Sequence, residues 1–280
     1  MQVASDYEII VFSYHRAKFI GEWTLRMLKD ANLLHKTTLF LQCDEDVRDY
    51  GQAYPEVKIV RSPQGLMETA NYAMNYFPAG TNVVQLHDDV RKFTRFVGKD
   101  QRPEKEENLD ALFTSIFNEL ERRGLHFGCP YPVNNSFNMT KNAIEQGLFF
   151  GHDPALFFRM RDKNDRVQLE KCFAQKQDFH RAVESYKKGD TLRFSHVSVE
   201  HQGYNKQGAK GGLAETMRRD LEDDKVATAE FVARYADFVN VIKTGTNKGQ
   251  FHIKYNDRGF SSFQLRDRRN DTQQQRDRDQ

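Results

Sequence analysis

YEIIVF at residues 7–12 and TTLFLQ at residues 37–42 are short apolar runs rich in β-branched and aromatic side chains, and both read as strands. Between them Ile20, Trp23, Met27, Ala31 and Leu34 recur every three to four residues, the stripe of one helix packed on a sheet. Residues 58–60 and 82–86 (NVVQL) read as further strands, and residues 66–76, entered through Pro63 and Gly65, as the helix joining them. Strands alternating with helices predict an α/β fold of Rossmann type, a mostly parallel sheet flanked by helices. Sheets of this kind bind ligands at the carboxyl ends of their strands, where helix N-termini offer free N–H groups to anions.

The segments that follow the strands are unusually polar: Ser13-Tyr14-His15-Arg16 after the first, Cys43-Asp44-Glu45-Asp46 after the second, and His87-Asp88-Asp89 after NVVQL. Further on, residues 99–108 read as a charged loop leading into an amphipathic helix at about 109–123. Residues 127–140 (FGCPYPVNNSFNMT), rich in Pro and Asn, read as a structured loop over a pocket. Residues 156–161 and 191–196 read as strands and residues 178–188 as a helix stopped by Gly189. Residues 203–212 form a glycine-rich basic loop, and one or two helices are expected in 213–238. The end, 265–280, has no apolar residue after Leu265 and reads as a disordered tail.

Of 280 residues, 42 are basic and 40 acidic, a formal charge of +2 that excludes a polyanion-coating protein on net charge alone. No window approaches the roughly 20 apolar residues of a membrane span, and no signal-peptide pattern is present at the start, so a cytoplasmic location is expected. Three widely spaced cysteines, Cys43, Cys129 and Cys172, suggest neither a disulfide framework nor a zinc knuckle. The fingerprints GxGxxG, GxxxxGK[ST] and HExxH are absent, which argues against dinucleotide dehydrogenases, P-loop NTPases and zinc proteases.

Asp88-Asp89, directly after a strand expected in the middle of the sheet, can hold Mg²⁺ or Mn²⁺ against a nucleotide diphosphate; an Asp pair also ends many strands as a turn. Asp178 opens a helix, where a carboxylate serves as a cap or first-turn residue; a sugar transferase that inverts configuration needs a carboxylate base, and position alone fits both. His201, preferred over His196, could complete a metal site through a neutral ring nitrogen. Lys206, Lys210, Arg218 and Arg219, with Arg193, could track a phosphate backbone or simply form a solvated face.

Read in order, IIVFSYHR, FLQCDEDVRDY, QGLMETANYAMN, VVQLHDDV, GCPYPVNNSFNM, KQDFHRAVESYKKGDTLRF and YNKQGAKGG resemble the TET/JBP-associated glycosyltransferases. That group includes the base J glucosyltransferase and phage enzymes that decorate 5-hydroxymethylpyrimidines in DNA. The resemblance runs from about Tyr7 to Gly212 and implies a GT-A-like fold with a C-terminal acceptor-side region. It implies nucleotide-sugar contacts at Ser13, Tyr14, Arg16, Asp44 and Asn71, a metal at Asp89 with Asp88 close by on the nucleotide-sugar side, and Asp178 as catalytic base, while His201 as a further metal ligand is the residue reading above. Asn134, Asn135 and the neighbouring Phe137 fall where the donor sugar or acceptor base would lie, and Arg193, Lys206 and Lys210 join them as acceptor-side candidates from the basic cluster above. Two departures stand out: the family's three-aspartate run is His87-Asp88-Asp89 here, and its Lys-Glu-Asp is Lys176-Gln177-Asp178.

The expected protein is thus a transferase dependent on Mn²⁺ or Mg²⁺, using a UDP-sugar and DNA containing hydroxymethylated pyrimidine, with no membrane and no obligate protein partner. Residues 1–98 would bind the nucleotide-sugar, 99–254 would form the acceptor and catalytic half of the same domain, and 255–280 a polar tail. A polysaccharide or protein acceptor, nucleotidyl transfer, and a nucleic-acid-binding module without catalysis remain alternatives.

Overall fold

A computed structural model describes residues 6–149, 151, 154–202, 221–242 and 252–255. The first strands are β1 (Tyr7–Ser13), β2 (Thr37–Leu41), β3 (Lys58–Arg61) and β4 (Asn82–His87), paired in parallel in the order β3-β2-β1-β4. In β1 the side chains alternate between two apolar faces. Ile9 and Val11 join a core with Ile20, Leu28, Tyr50, Phe113 and Phe117, whereas Ile10 joins Phe40, Met74, Phe77 and Val83 on the other side. A strand buried on both faces needs a continuous apolar run, which is what YEIIVF is.

Helices α1 (Ala17–Glu22), α2 (Thr24–Asp30) and α3 (Asp44–Ala53) cover one face of the sheet and α4 (Leu66–Tyr76) the other. The stripe from Ile20 to Leu34 was expected to be one helix. It is α1 and α2, broken at Trp23 (φ −122°, ψ −89°), and Leu34 lies in a separate short 3₁₀ turn. The break gives α2 a start of its own, and its first residue, Thr24, reaches the far end of β4. Gly65, with φ +111°, turns the chain into α4, and its N–H donates to the side-chain oxygen of Gln42 at 2.9 Å. Only glycine adopts that backbone freely.

Beyond β4 the sheet continues with β9 (Ala155–Arg159), β7 (Phe127–Tyr131), β10 (Thr191–His201), β5 (Val90–Arg95) and β6 (Glu104–Lys105), while β8 (Ile144–Gln146) pairs with β10. β9 is antiparallel to both β4 and β7, and β7 is parallel to β10. The expected α/β sheet flanked by helices is therefore present, with its parallel block at the amino-terminal side.

Three local expectations are corrected. Residues 127–131 are a central strand and not part of a loop. Pro130 is tolerated because the β9 pairing ends at Gly128, so its missing N–H breaks no rung on that side. The last strand of this block runs to His201 rather than stopping at 196, and it changes register between Phe194 and Ser198 to pair onward with β5. The charged segment 99–108 contains the two-residue β6.

Helix α5 (Leu109–Arg122) is capped by Asn108, whose side chain accepts from Ala111 N at 3.0 Å, and buries Leu112, Phe113, Ile116, Phe117 and Leu120. Helix α6 (Gln177–Lys187) packs through Val183 and Tyr186 against Phe231 and Tyr235 of α7 (Leu221–Arg234) and its end. A hairpin of β11 (Val239–Ile242) and β12 (His252–Tyr255) completes the described elements. Among the described residues no helix is long and apolar enough to cross a membrane. The glycine-rich loop at 203–212 and the tail 256–280 lie outside the described residues.

Cys129 sits inside β7 fully enclosed, and burial pushes its thiol up to about 12, whereas Cys172 is exposed. Because the thiolate is the reactive form, iodoacetamide near pH 8 is expected to modify Cys172 and spare Cys129 in the folded protein. Peptide mapping reads this directly; equal labelling of the two would contradict a buried β7.

Candidate active site

The carboxyl ends of β1 and β4 are joined by a buried polar knot. Ser13, the last residue of β1, donates its hydroxyl to Asp88 Oδ2 at 2.7 Å and lies 2.7 Å from the Tyr50 hydroxyl of α3. With the Ser13 proton directed at Asp88, Tyr50 must donate to Ser13. Tyr50 in turn accepts the Arg16 backbone N–H at 2.9 Å, and Arg16 Nη1 lies 3.3 Å from Asp88 Oδ1. Asp88 is 4% exposed. Burial pushes its pKa above the ordinary carboxylate value, the Arg16 guanidinium and the Ser13 hydroxyl pull it back, and the neighbouring Asp89 adds to the rise.

Asp88 and Asp89 form the whole link between β4 and β5, two strands that are neighbours in sequence but far apart in the sheet order. Thr24 fixes this crossing. Its hydroxyl donates to His87 O at 2.7 Å and accepts from Val90 N at 2.9 Å, so one side chain holds both ends of the acidic turn. Asp89 is fully buried; its Oδ2 lies 3.4 Å from His201 Nδ1, and its carbonyl accepts from Gln202 N at 2.9 Å. The bulge between Glu200 and His201 aligns His201 with Val90, which brings the last residue of β10 against the acidic turn.

A second donor cluster stands beside this one. His15 Nδ1, Cys43 Sγ and an Asp46 oxygen lie within 4.8 Å of one another, with His15 and Asp46 3.2 Å apart and Asp46 N donating to Cys43 Sγ at 3.4 Å. His15 adopts φ +52°, and its backbone N–H also points at Asp46. Asp89 with His201 is an oxygen-plus-imidazole set suited to Mn²⁺, whereas a thiol-bearing set suits softer ions.

The topology also locates Asp178. Helix α6 runs into β10 through Gly189 and Asp190, and Asp190 pairs with His126 at the start of β7. The C-terminus of α6 therefore sits at the amino ends of β7 and β10. Arg181 Nη1 donates to Gln85 in β4 at 2.9 Å. Asp178 lies three residues before Arg181, in the first turn of α6.

The remaining candidates are spread out. Tyr14 stacks on His15 with ring centres 4.0 Å apart. Asp44 is exposed and bonded to Arg61 Nε at 2.8 Å, while Asn71 uses both ends of its amide on the Leu169 backbone. Asn134 accepts from Thr94 of β5 at 2.9 Å, Asn135 accepts from Phe137 N at 2.9 Å, and Phe137 is 80% exposed. Arg193 bonds Glu145 at 2.7 Å and lies over Phe149. It is eight residues from His201, up to about 26 Å along an extended strand. Lys206 and Lys210 lie outside the described residues. A cavity of about 290 Å³ bounded by Trp23, Arg26, Arg91, Lys92 and Glu106 includes neither the aspartates of the turn nor Asp178.

Sequence reasoning missed Thr24, Tyr50 and the buried Asp46. Cys43, Asp46 and Tyr50 are spaced i, i+3, i+7, one helix face, and that periodicity was the available signal for adding Asp46 to the candidates. Nothing in the sequence points to Thr24, because its role depends on the helix break at Trp23.

No family model matches the sequence, and no curated protein matches it. Among solved structures, S. aureus TarS 1-349 aligns with TM-score 0.46 and 13% identity over 68% of this chain, which spans 58% of that chain, less than two thirds of it. Glucosyl-3-phosphoglycerate synthase from Mycobacterium tuberculosis, in complex with Mn²⁺, UDP and phosphoglyceric acid, aligns with TM-score 0.45 and 8% identity over 90% of this chain and 86% of that one. A CMP:2-keto-3-deoxy-manno-octonic acid synthetase complexed with CTP aligns with TM-score 0.43 and 10% identity over 68% and 89%. These likenesses concern the course of the backbone.

Thr24→Val keeps the shape but removes the hydroxyl that serves His87 O and Val90 N. Leaving these two backbone groups unpaired is expected to cost about 1–3 kcal/mol each, read from urea unfolding midpoints. Asp88→Ala, which takes away the carboxylate bonded by Arg16 and Ser13, is expected to cost about 3–5 kcal/mol. Wild-type midpoints in both variants would remove the knot from its structural role.

Proposed function

We propose that the chain is a metal-dependent glycosyltransferase that moves a sugar from a UDP-sugar to the hydroxyl of a 5-hydroxymethylpyrimidine in DNA. The observation that carries the reading is the buried Asp88-Asp89 turn at the end of β4, with Asp89 facing His201 and Asp88 locked by Arg16. The sequence resemblance supplies the donor and acceptor class.

Asp89 and His201 would hold Mn²⁺ or Mg²⁺, which when bound supplies Lewis-acid neutralisation of the leaving diphosphate. Asp88 acts through Asp89: clamped by Ser13 and Arg16, it keeps the turn in one conformation. Ser13 and Arg16 of the knot, with the neighbouring Tyr14, would form the floor under the nucleotide. Asp178 takes the proton from the hydroxymethyl oxygen as that oxygen attacks the anomeric carbon, a general-base step worth about 10²–10⁴ in rate. A base within a duplex must first leave the stack and be held by aromatic side chains, for which the exposed Phe137 beside Asn134 and Asn135 is a candidate.

The deciding experiment incubates the protein with Mn²⁺, DNA containing hydroxymethylcytosine and a panel of UDP-sugars, followed by mass spectrometry of the digested nucleosides. A nucleoside heavier by one hexose or pentose residue, with UDP released, is expected; release of pyrophosphate would instead identify nucleotidyl transfer. Asp178→Asn is expected to retain donor binding while transfer falls at least about 100-fold. Asp89→Ala is expected to lose Mn²⁺-dependent donor binding in calorimetry. Turnover at the wild-type rate in either variant would take that residue out of the mechanism.

A further inference from the structure

Away from the acidic rim, where β9 ends and β7 and β10 begin, a cavity of about 50 Å³ is lined by Phe127, Phe158, Met160, Arg161, Arg166 and Arg181. Two of its arginines are deeply buried, Arg181 at 4% exposure and Arg166 at 9%. Arg181 donates to the neutral amide of Gln85, and its guanidinium lies 5.4 Å from the Phe158 ring centre. Arg166 donates to the backbone carbonyls of Arg161 and Met74, and its Nη2 is buried with no hydrogen-bond partner.

Neither guanidinium has a carboxylate at ion-pair distance among the described residues. Asp190, on the cavity wall, is taken by Arg161 at 2.6 Å and His126 at 3.2 Å. Asp162 acts on Arg166 only through space, and burial pulls the Arg166 pKa below its ordinary value. The C-terminus of α4, at Met74, offers roughly half a negative charge to Arg166 and nothing comparable to Arg181. Buried charges are normally paired, and an unpaired guanidinium donor on a residue that lines a cavity calls for an acceptor. The space exceeds the 10–15 Å³ or so that one water requires.

We propose that this pocket is an oxyanion-binding site, taking a phosphate-sized tetrahedral anion between Arg166 and Arg181. The proposal is independent of the sugar-transfer reading, since it uses the opposite edge of the sheet. Arg166 Nη2 supplies the free donor, Arg181 the second charge, and the apolar wall of Phe127, Phe158 and Met160 keeps competing water out.

The test is thermal unfolding of the full chain in increasing inorganic phosphate, against sodium chloride at matched ionic strength and pH. A saturable rise in Tm is expected with phosphate and not with chloride. Arg166→Gln and Arg181→Gln should each need at least tenfold more phosphate for the same rise, and Arg166→Lys should lie between them and the wild type. Because a glutamine variant can fail to fold, selenate soaked into wild-type crystals provides an independent reading through its anomalous scattering. A peak within hydrogen-bond distance of Arg166 Nη2 is the expected result. No saturable rise, or a peak confined to the rim beside Arg16, would overturn the proposal.

Discussion

The ion pair between Asp88 and Arg16 is the constraint on which the rest of the site depends. Both side chains are almost wholly withdrawn from water, so neither tolerates loss of the other, and each comes from a different strand end. Ser13 and Tyr50 fill the remaining bonding positions with a one-directional hydroxyl chain. Thus β1, α3 and β4 are tied at a single point on the carboxyl rim. A buried network that is fully bonded narrows the accessible geometries far more than apolar packing does, because any displacement leaves a polar group unpaired. That rigidity passes to Asp89, which follows Asp88 in the chain and has no freedom of its own once Thr24 holds the backbone on both sides.

The route of the chain explains why the aspartates lie where they do. After β4 the chain does not return to a neighbouring strand but crosses in two residues to β5, which pairs with the far half of β10. β10 can serve both regions because it changes register after Phe194. Its first half completes the main sheet beside β7, and its second half carries His201 back to the turn. The acidic pair sits at the hinge between two parts of one sheet, a position with strand ends on both sides and no regular pairing of its own.

Much of this was legible in the sequence wherever local pattern and burial agree. The strands β1, β2 and β4 and the helix α4 follow from apolar runs and helical spacing, and the polar segments after β1 and β4 mark the rim. What the sequence left open has physical causes. A stripe with a 3.6-residue period cannot reveal a break at Trp23, since both halves keep the same phase against the core. Pro130 argues against a strand only if its N–H is needed, and that depends on where the pairing with β9 stops. Asp44 and Asp46 are equivalent as letters, yet one points to solvent beside Arg61 and the other is buried against His15. Tertiary neighbours, not the local sequence, decide each of these cases.

Charge placement along the strand axis gives the two edges opposite character. The N-termini of α3, at the carboxyl rim, and of α6 carry Asp46 and Asp178, carboxylates favoured by the positive ends of those helices. At the amino edge, Arg166 meets the carbonyl end of α4, and Arg161 meets Asp190 where β10 begins. A diphosphate arriving at the carboxyl rim would meet helix ends that attract it and a buried Asp89 that repels it. Arg16 cannot resolve that conflict, because Asp88 already takes part of its charge. On the proposed reading, a divalent cation held by Asp89 would resolve it, neutralising the carboxylate's charge without disturbing the Asp88 knot behind it. On the same reading, His201 would add a ligand atom at this position that carries no negative charge next to the phosphates.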